Sequence, residues 1–258
     1  MRVISILNFK GGIGKTSVSV NLADALRRQG KICIIIDADR QSNATTTLLG
    51  QRTEPSLRDF FITPKMKLSE VIYETGREGL YIIPSDTNLD HVSTHFSNFP
   101  RAYYKMRDGV REELEAQGID YIFIDHAGAY TKLMGSLLES SQEMIIPCVL
   151  EPYSVIGLRD LFDKLNTELE GYELKNSGII PYNIDMSKAI TGVYLEQLKE
   201  QFGDLILAAV RTDTAVMYAQ SKKQTVFEYE KAQHIKSKAA SDFHSLAQVI
   251  LDQEAVTA

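Results

Sequence analysis

With 258 residues, 44% of them hydrophobic and 24% charged, the chain has ordinary globular composition and can bury a core without disulfides or a structural metal. A formal charge of -6 at pH 7 excludes a broadly basic nucleic-acid coat but not a local basic patch. The apolar runs fall short of the roughly 20 residues a bilayer span needs, and no signal peptide is visible, so a cytoplasmic protein is expected.

Residues 2–7 (RVISIL) form a short apolar run, expected as a buried strand. A glycine-rich loop follows, and residues 16–29 place Val18, Leu22, Ala25 and Leu26 on one helical face. Strands are expected again at 31–37, 80–84, 120–125, 143–150 and about 174–181. Near-continuous Ile/Val runs of this kind suit a parallel sheet covered on both faces. The stretches 50–79 and 86–118 are less regular and hold three of the seven prolines. They read as helices and loops on one side of the sheet, not as a domain of their own. Later helices are expected at 155–169, 190–202 and 235–251. The first carries a stripe of Ile156, Leu158, Leu161, Phe162, Leu165 and Leu169; the last buries Ile235, Ala239, Phe243, Leu246 and Ile250. Cys33 and Cys148 lie inside apolar runs with no CxxC or Cys/His spacing, so both are expected as small core residues. The alternation of strand and helix makes the expected fold α/β: a doubly wound, mostly parallel sheet with helices on both faces, residues 1–258 forming one domain.

The chemistry concentrates in Lys10-Gly11-Gly12-Ile13-Gly14-Lys15-Thr16, between the first strand and the first helix. Glycine there permits positive φ, so that backbone N–H groups can close around phosphate oxygens. The helix N-terminus adds partial positive charge. Lys15 is expected to reach the β- and γ-phosphates, and the Thr16 hydroxyl to bind Mg²⁺. The nucleotide-binding set is thus Gly11, Gly12, Ile13, Gly14, Lys15, Thr16 and Ser17. The general phosphate-loop pattern asks for glycine at position 9, where this chain has Phe9.

The second lysine, Lys10, makes the loop resemble the deviant Walker A motif of the ParA/MinD family of P-loop ATPases. That resemblance implies ATP and Mg²⁺ as cofactors. It also implies a nucleotide-sandwich homodimer in which Lys10 reaches the partner's phosphates. Asp37-Ala38-Asp39-Arg40-Gln41 resembles the family's Walker A′ segment, with Arg40 where proline is usual. By that resemblance Asp39 orients or deprotonates the attacking water and Asp37 lies near the Mg²⁺ hydration shell. Ser42 or Asn43 is also expected to cap a helix starting at Ala44. Asp125, after Tyr121-Ile122-Phe123-Ile124, resembles the Walker B acid and joins Thr16 and Asp37 as the metal set. His126 follows it and is expected as a satisfied loop residue. The likeness continues through Ile145-Ile146-Pro147 to Gly157-Leu158, through Val210-Arg211-Thr212-Asp213, and into Phe227-Glu228-Tyr229.

Within the family, the short acidic tail Leu251–Ala258 differs from a basic membrane-binding helix, so no membrane partner is expected. Neither cysteine has the placement expected of an iron–sulfur ligand. The tail also lacks the tyrosines of the family's kinases. The chain is most similar to short, Soj-like ParA ATPases, and is expected to lack the helix-turn-helix region of some plasmid relatives. The run 211–238 carries Arg211, Lys222, Lys223, Lys231, Lys236 and Lys238. It reads either as a solvated lysine-rich surface or as a patch for sequence-indifferent DNA. The resemblance favours DNA, with Arg211, Lys222, Lys223, Lys236 and Lys238 as the contacts, and with a nucleoid-associated protein driven by a ParB-like cargo adaptor. Plasmid or chromosome partition is the first reading of cargo. Positioning of a protein cargo such as carboxysomes is the second. A membrane-site regulator or a metabolic P-loop enzyme also stays open.

Overall fold

The computed structural model describes residues 1–168 and 175–257. Its strands are β1 (Arg2–Ile6), β2 (Cys33–Ala38), β3 (Tyr73–Arg77), β4 (Leu80–Ile83), β5 (Tyr121–His126), β6 (Glu143–Val149), β7 (Lys175–Ile184) and β8 (Val210–Arg211). Among the described residues they form an eight-stranded sheet in the order β3-β4-β2-β5-β1-β6-β7-β8, parallel except for β3 against β4. The helices are α1 (Lys15–Arg27), α2 (Asn43–Leu49), α3 (Leu57–Ile62), α4 (His91–Asn98), α5 (Lys105–Gly109) and α6 (Lys132–Leu138). They continue with α7 (Ser154–Glu168), α8 (Ala189–Phe202), α9 (Thr214–Ser221), α10 (Val226–Gln233) and α11 (Lys238–Thr257).

Strand residues divide by alternation. Ile4 and Ile6 of β1 and Cys33 and Ile35 of β2 join a core with α1 and α9 to α11. Val3, Ile34 and Ile36 face the other way, into a core with Phe60, Phe61, Phe96 and Leu137 from α3, α4 and α6. A third cluster packs Ile146 and Ile179 of β6 and β7 against Leu158, Leu161 and Leu198 of α7 and α8. Both faces of the central strands are therefore covered, which is why those strands read as unbroken apolar runs. Each fully buried Ile or Leu contributes roughly 1.5–3 kcal/mol. Cys33 and Cys148 are both buried, as expected.

The expected doubly wound sheet is present, with local corrections. Residues 50–79 contain not only helix and loop but the edge strand β3. Only Thr75 of Tyr73-Glu74-Thr75-Gly76-Arg77 is buried, so no apolar run marks it. The last helix begins at Lys238 rather than 235. Ile235 is left 44% exposed, while Ala239, Phe243, Leu246 and Ile250 are buried as expected. Buried Ser237 explains the start: its Oγ accepts from Ala240 N at 3.1 Å, a local cap. Ile156, expected on the apolar stripe of α7, is 53% exposed; Leu169 of that stripe lies outside the described residues.

β1 leads through α1 to β2 on one side of it, whereas its neighbour β6 leads through α7 to β7 on the other, so the strand order reverses between β1 and β6. A crevice at such a switch point is where open α/β sheets bind ligands.

Candidate nucleotide site

The loop after β1 occupies that crevice. Gly12 and Gly14 have φ of +71° and +92°, the left-handed region that glycine enters without strain. Gly14 has a second reason to lack a side chain: a Cβ there would stand 2.2 Å from the Tyr182 ring. A Cβ on Gly11 or Gly12 would meet nothing within 4 Å, so open space lies in front of them. Gly14 is the N-cap of α1 and supplies no side-chain cap, and the first turn carries no acid. The first N–H groups of α1 are thereby left for an outside anion.

Lys15 opens α1 with only 8% of its surface exposed. Its ammonium donates to the Lys10 carbonyl at 3.1 Å. Burial lowers its pKa, and Asp125 and Asp39 pull it back up. The parallel pairing sets Asp37 of β2 opposite Asp125 of β5, and Asp125 opposite Ile6 of β1, so both acids stand one residue before the ends of neighbouring strands, at the edge from which the loop leaves β1. Each is fully buried. Asp37 Oδ2 accepts from Thr45 N and Thr45 Oγ1 at 2.8 and 2.7 Å, and its Oδ1 accepts from Asp39 N at 3.2 Å. The expected cap by Ser42 or Asn43 is therefore corrected. Ser42 stands before α2 at φ 55° with no capping bond, and the Asp37 carboxylate serves that helix end instead. Asp125 accepts from Ser19 Oγ at 3.2 Å through one oxygen, and its other oxygen has no partner among the described residues. Burial raises the pKa of both acids, and each is raised further by a neighbouring carboxylate.

Asp39 is half-buried and anchors its own loop by accepting from Gln41 N at 2.9 Å. It shares a cleft of about 300 Å³ with Gly11 through Ser17, Asn43, Gly128, Tyr182 and Gln220. Lys10 is not in that cleft. Its ammonium pairs with Glu151 at the rim of an adjoining recess lined also by Phe9, Cys148 and Tyr153. His126 ends β5 rather than lying in a loop. It is buried and shares a 2.8 Å hydrogen bond with Ser5 Oγ, which in turn bonds Ser141 Oγ at 2.7 Å. Burial, with Lys15 nearby, pushes its pKa down to about 3, so the ring is neutral. Arg40 pairs with Asp90 at the surface.

The donor set fits a nucleoside triphosphate with a divalent cation. The phosphates would meet loop N–H groups and Lys15. The cation would meet Thr16 and the acids Asp37 and Asp125, whose buried charge and orphaned oxygen call for one. Four residues of this cleft were not foreseen from the sequence: Asn43, Gly128, Tyr182 and Gln220. None carries a local motif; Tyr182 and Gln220 arrive from β7 and α9, more than a hundred residues away. The five expected DNA contacts are not gathered in one place. Arg211 is clamped by Asp242, which accepts from its Nη2 at 2.6 Å and its Nε at 2.9 Å. Lys222 and Lys223 line a separate concavity, and Lys236 and Lys238 are exposed around the start of α11.

Strand, glycine loop and helix, with two buried acids on adjacent strand ends and a second lysine at the loop's front, define a P-loop ATPase of the deviant Walker A type. A family model described as an AAA domain matches residues 1–177. The chromosome partitioning protein ParA of Caulobacter vibrioides is 26% identical over 261 residues, covering 98% of this chain and 95% of that one. Apo McdA from Cyanothece has a similar structure, with a TM-score of 0.80 at 20% identity over 97% of this chain and 99% of that chain. The septum site-determining protein MinD of Pyrococcus horikoshii, complexed with Mg-ADP, gives 0.78 at 23% identity over 100% and 98%. The chain belongs to that AAA domain family, in its ParA/MinD group of partition or positioning ATPases.

Proposed function

We propose that the chain is an ATP-dependent dimerising ATPase that binds duplex DNA without sequence preference and positions or segregates cargo, most directly a plasmid or chromosome. One observation carries the dimer reading: the two lysines of a single loop point apart. Lys15 is buried among the acids of its own cleft, whereas Lys10 leaves that cleft and pairs with Glu151. A cation directed outward at the rim of a nucleotide site is positioned to complete a site on another subunit.

In this reading Gly11 through Ser17 bind the phosphates by backbone N–H groups, and Lys15 neutralises the charge that develops between the β- and γ-phosphates. Thr16, Asp37 and Asp125 would hold Mg²⁺, which would supply charge neutralisation on the phosphate oxygens. Asp39, at the cleft edge, orients the attacking water and accepts its proton. Tyr182, packed on Gly14, and Gln220 line the same cleft and limit solvent. Lys10 exchanges Glu151 for the partner's nucleotide on closure, which makes hydrolysis depend on dimerisation. Two linked basic surfaces would then raise affinity for DNA, and a cargo-bound adaptor would stimulate hydrolysis and release. Among the described residues no helix is long and apolar enough to cross a membrane, and the apolar face of α11 is buried by the core.

The test is binding to a random-sequence duplex without nucleotide, with ADP, and with ATP and Mg²⁺, at two salt concentrations. Binding confined to ATP and weakened by salt is the expected result. Sequence-independent binding in no nucleotide state would remove DNA from the mechanism and leave the ATPase.

A further inference from the structure

A basic concavity draws on more of the chain than residues 211–238. An open hollow of about 800 Å³ is lined by Arg28, Arg77, Lys222, Lys223 and Lys231, with Glu228 as the acid among its lining residues. That acid is already engaged: Arg77 Nε donates to it at 2.7 Å and Nη2 at 2.8 Å. With Arg77 paired to Glu228 and Arg28 to Asp24, Lys222, Lys223 and Lys231 are left without a carboxylate partner among the described residues, a marked local excess in a chain of net charge -6.

Arg28, Arg77 and Lys223 are held in place by the fold, while Lys222 and Lys231 stand exposed. Arg28 donates to the buried Asp24 carboxylate at 3.1 Å and lies over the Phe227 ring at 4.9 Å, so its guanidinium has a fixed plane. Lys223 takes φ 58° at the end of α9, and its ammonium donates to the Gly50 carbonyl at 2.6 Å. Lys222 and Lys231 have no carboxylate within ion-pair distance among the described residues, and both are exposed. Arg211, like Arg28 and Arg77 but unlike these two lysines, has its charge matched by a carboxylate, here Asp242.

We propose that this hollow, built by α1, α9 and α10, seats the phosphate backbone of a nucleic-acid duplex, with Lys222 and Lys231 as the contacting ammonium groups and Arg28 as the fixed one. The assignment rests on the DNA reading above and moves its contact surface away from Arg211. An open hollow lined by exposed ammonium groups without carboxylate partners suits the phosphates of a duplex, and contacts to phosphate carry no sequence information.

The full-length chain, with Mg²⁺ and a slowly hydrolysed ATP analogue, is titrated against a fluorescent random-sequence duplex at several salt concentrations. The paired variant Lys222→Ala with Lys231→Ala should lose about tenfold or more in affinity. It should also flatten the salt dependence by roughly two ions, near one per phosphate contact removed. Lys222→Arg with Lys231→Arg, which keeps the charge, should bind like wild type, and thermal melts of both pairs check the fold. Lys236→Ala with Lys238→Ala should change affinity by less than about twofold. Wild-type binding by the first pair, or a larger loss from the Lys236/Lys238 pair, overturns the assignment while leaving the DNA reading intact. A wild-type chain that binds no duplex in any nucleotide state, or binds only anionic vesicles, overturns both.

Discussion

Lys15 and Asp39 share one cleft and carry different tasks, so their substitutions should separate. Lys15→Ala removes the buried ammonium that would face the phosphates. Nucleotide binding, followed by titration with a fluorescent analogue, should fall by about 100-fold or more. Asp39→Ala leaves the loop intact. ATP should stay bound while turnover drops by at least about 100-fold, and dimers should accumulate in sedimentation runs with ATP. Normal turnover in that variant would assign water activation to another group. His126 gives a pH signature at the same scale. Its folded pKa is pushed down to about 3 by burial, below its ordinary value near 6.5. The unfolded chain therefore binds the proton first. Stability is fully present above about pH 6.5 and is lost as pH falls toward the folded value, by at most about 1.4 kcal/mol per pH unit. His126→Gln should flatten that acid limb in denaturant titrations at several pH values. An unchanged limb would mean that other groups set it.

Among the elements, α2 links the nucleotide cleft to the basic hollow. Its first turn, through Thr45, holds Asp37, and its C-terminal carbonyls hold the rim of the basic hollow: Leu48 O accepts from Arg77 at 3.1 Å and Gly50 O from Lys223 at 2.6 Å. Thr45→Val keeps the shape but removes a donor to a buried carboxylate and the acceptor of Ser85 N at 3.0 Å. The expected loss is about 1–3 kcal/mol in the midpoint of chemical denaturation. A loss near zero would mean that Asp37 is protonated in the free protein and indifferent to that donor. The α1 N-terminus is equally constrained. Gly14→Ala must bear a positive φ and displace Tyr182, so it should destabilise the fold by about 1–3 kcal/mol. Pairing it with Tyr182→Ala should recover only the part due to the clash.

For the whole molecule, the separation of Lys10 from Lys15 predicts that dimerisation and nucleotide binding can be uncoupled. Lys10→Ala should still bind ATP within about tenfold of wild type, since its ammonium lies outside its own cleft. It should lose the concentration-dependent rise in turnover that a shared site produces. Hydrolysis that rises with protein concentration as in wild type would assign the cross-subunit role elsewhere.

The loop, the strand-end acids and the covered parallel sheet were legible in residue order because their determinants are local. Glycines set the backbone, a lysine and threonine follow at fixed spacing, and an Ile/Val run that ends in Asp announces a buried strand with its acid at the binding edge. What residue order left open was decided by distance in the fold. Tyr182 became the partner of Gly14, and the Asp37 carboxylate rather than Ser42 or Asn43 capped the start of α2. β3 took the sheet edge with a single buried residue. The basic run 211–238 divided, Arg211 going to Asp242 while Arg28, Arg77 and Lys231 joined Lys222 and Lys223 in one hollow. Charge counted along a chain is blind to the counter-ion that folding places beside it. Only the tertiary structure shows which cations are already neutralised and which stay available to an outside phosphate.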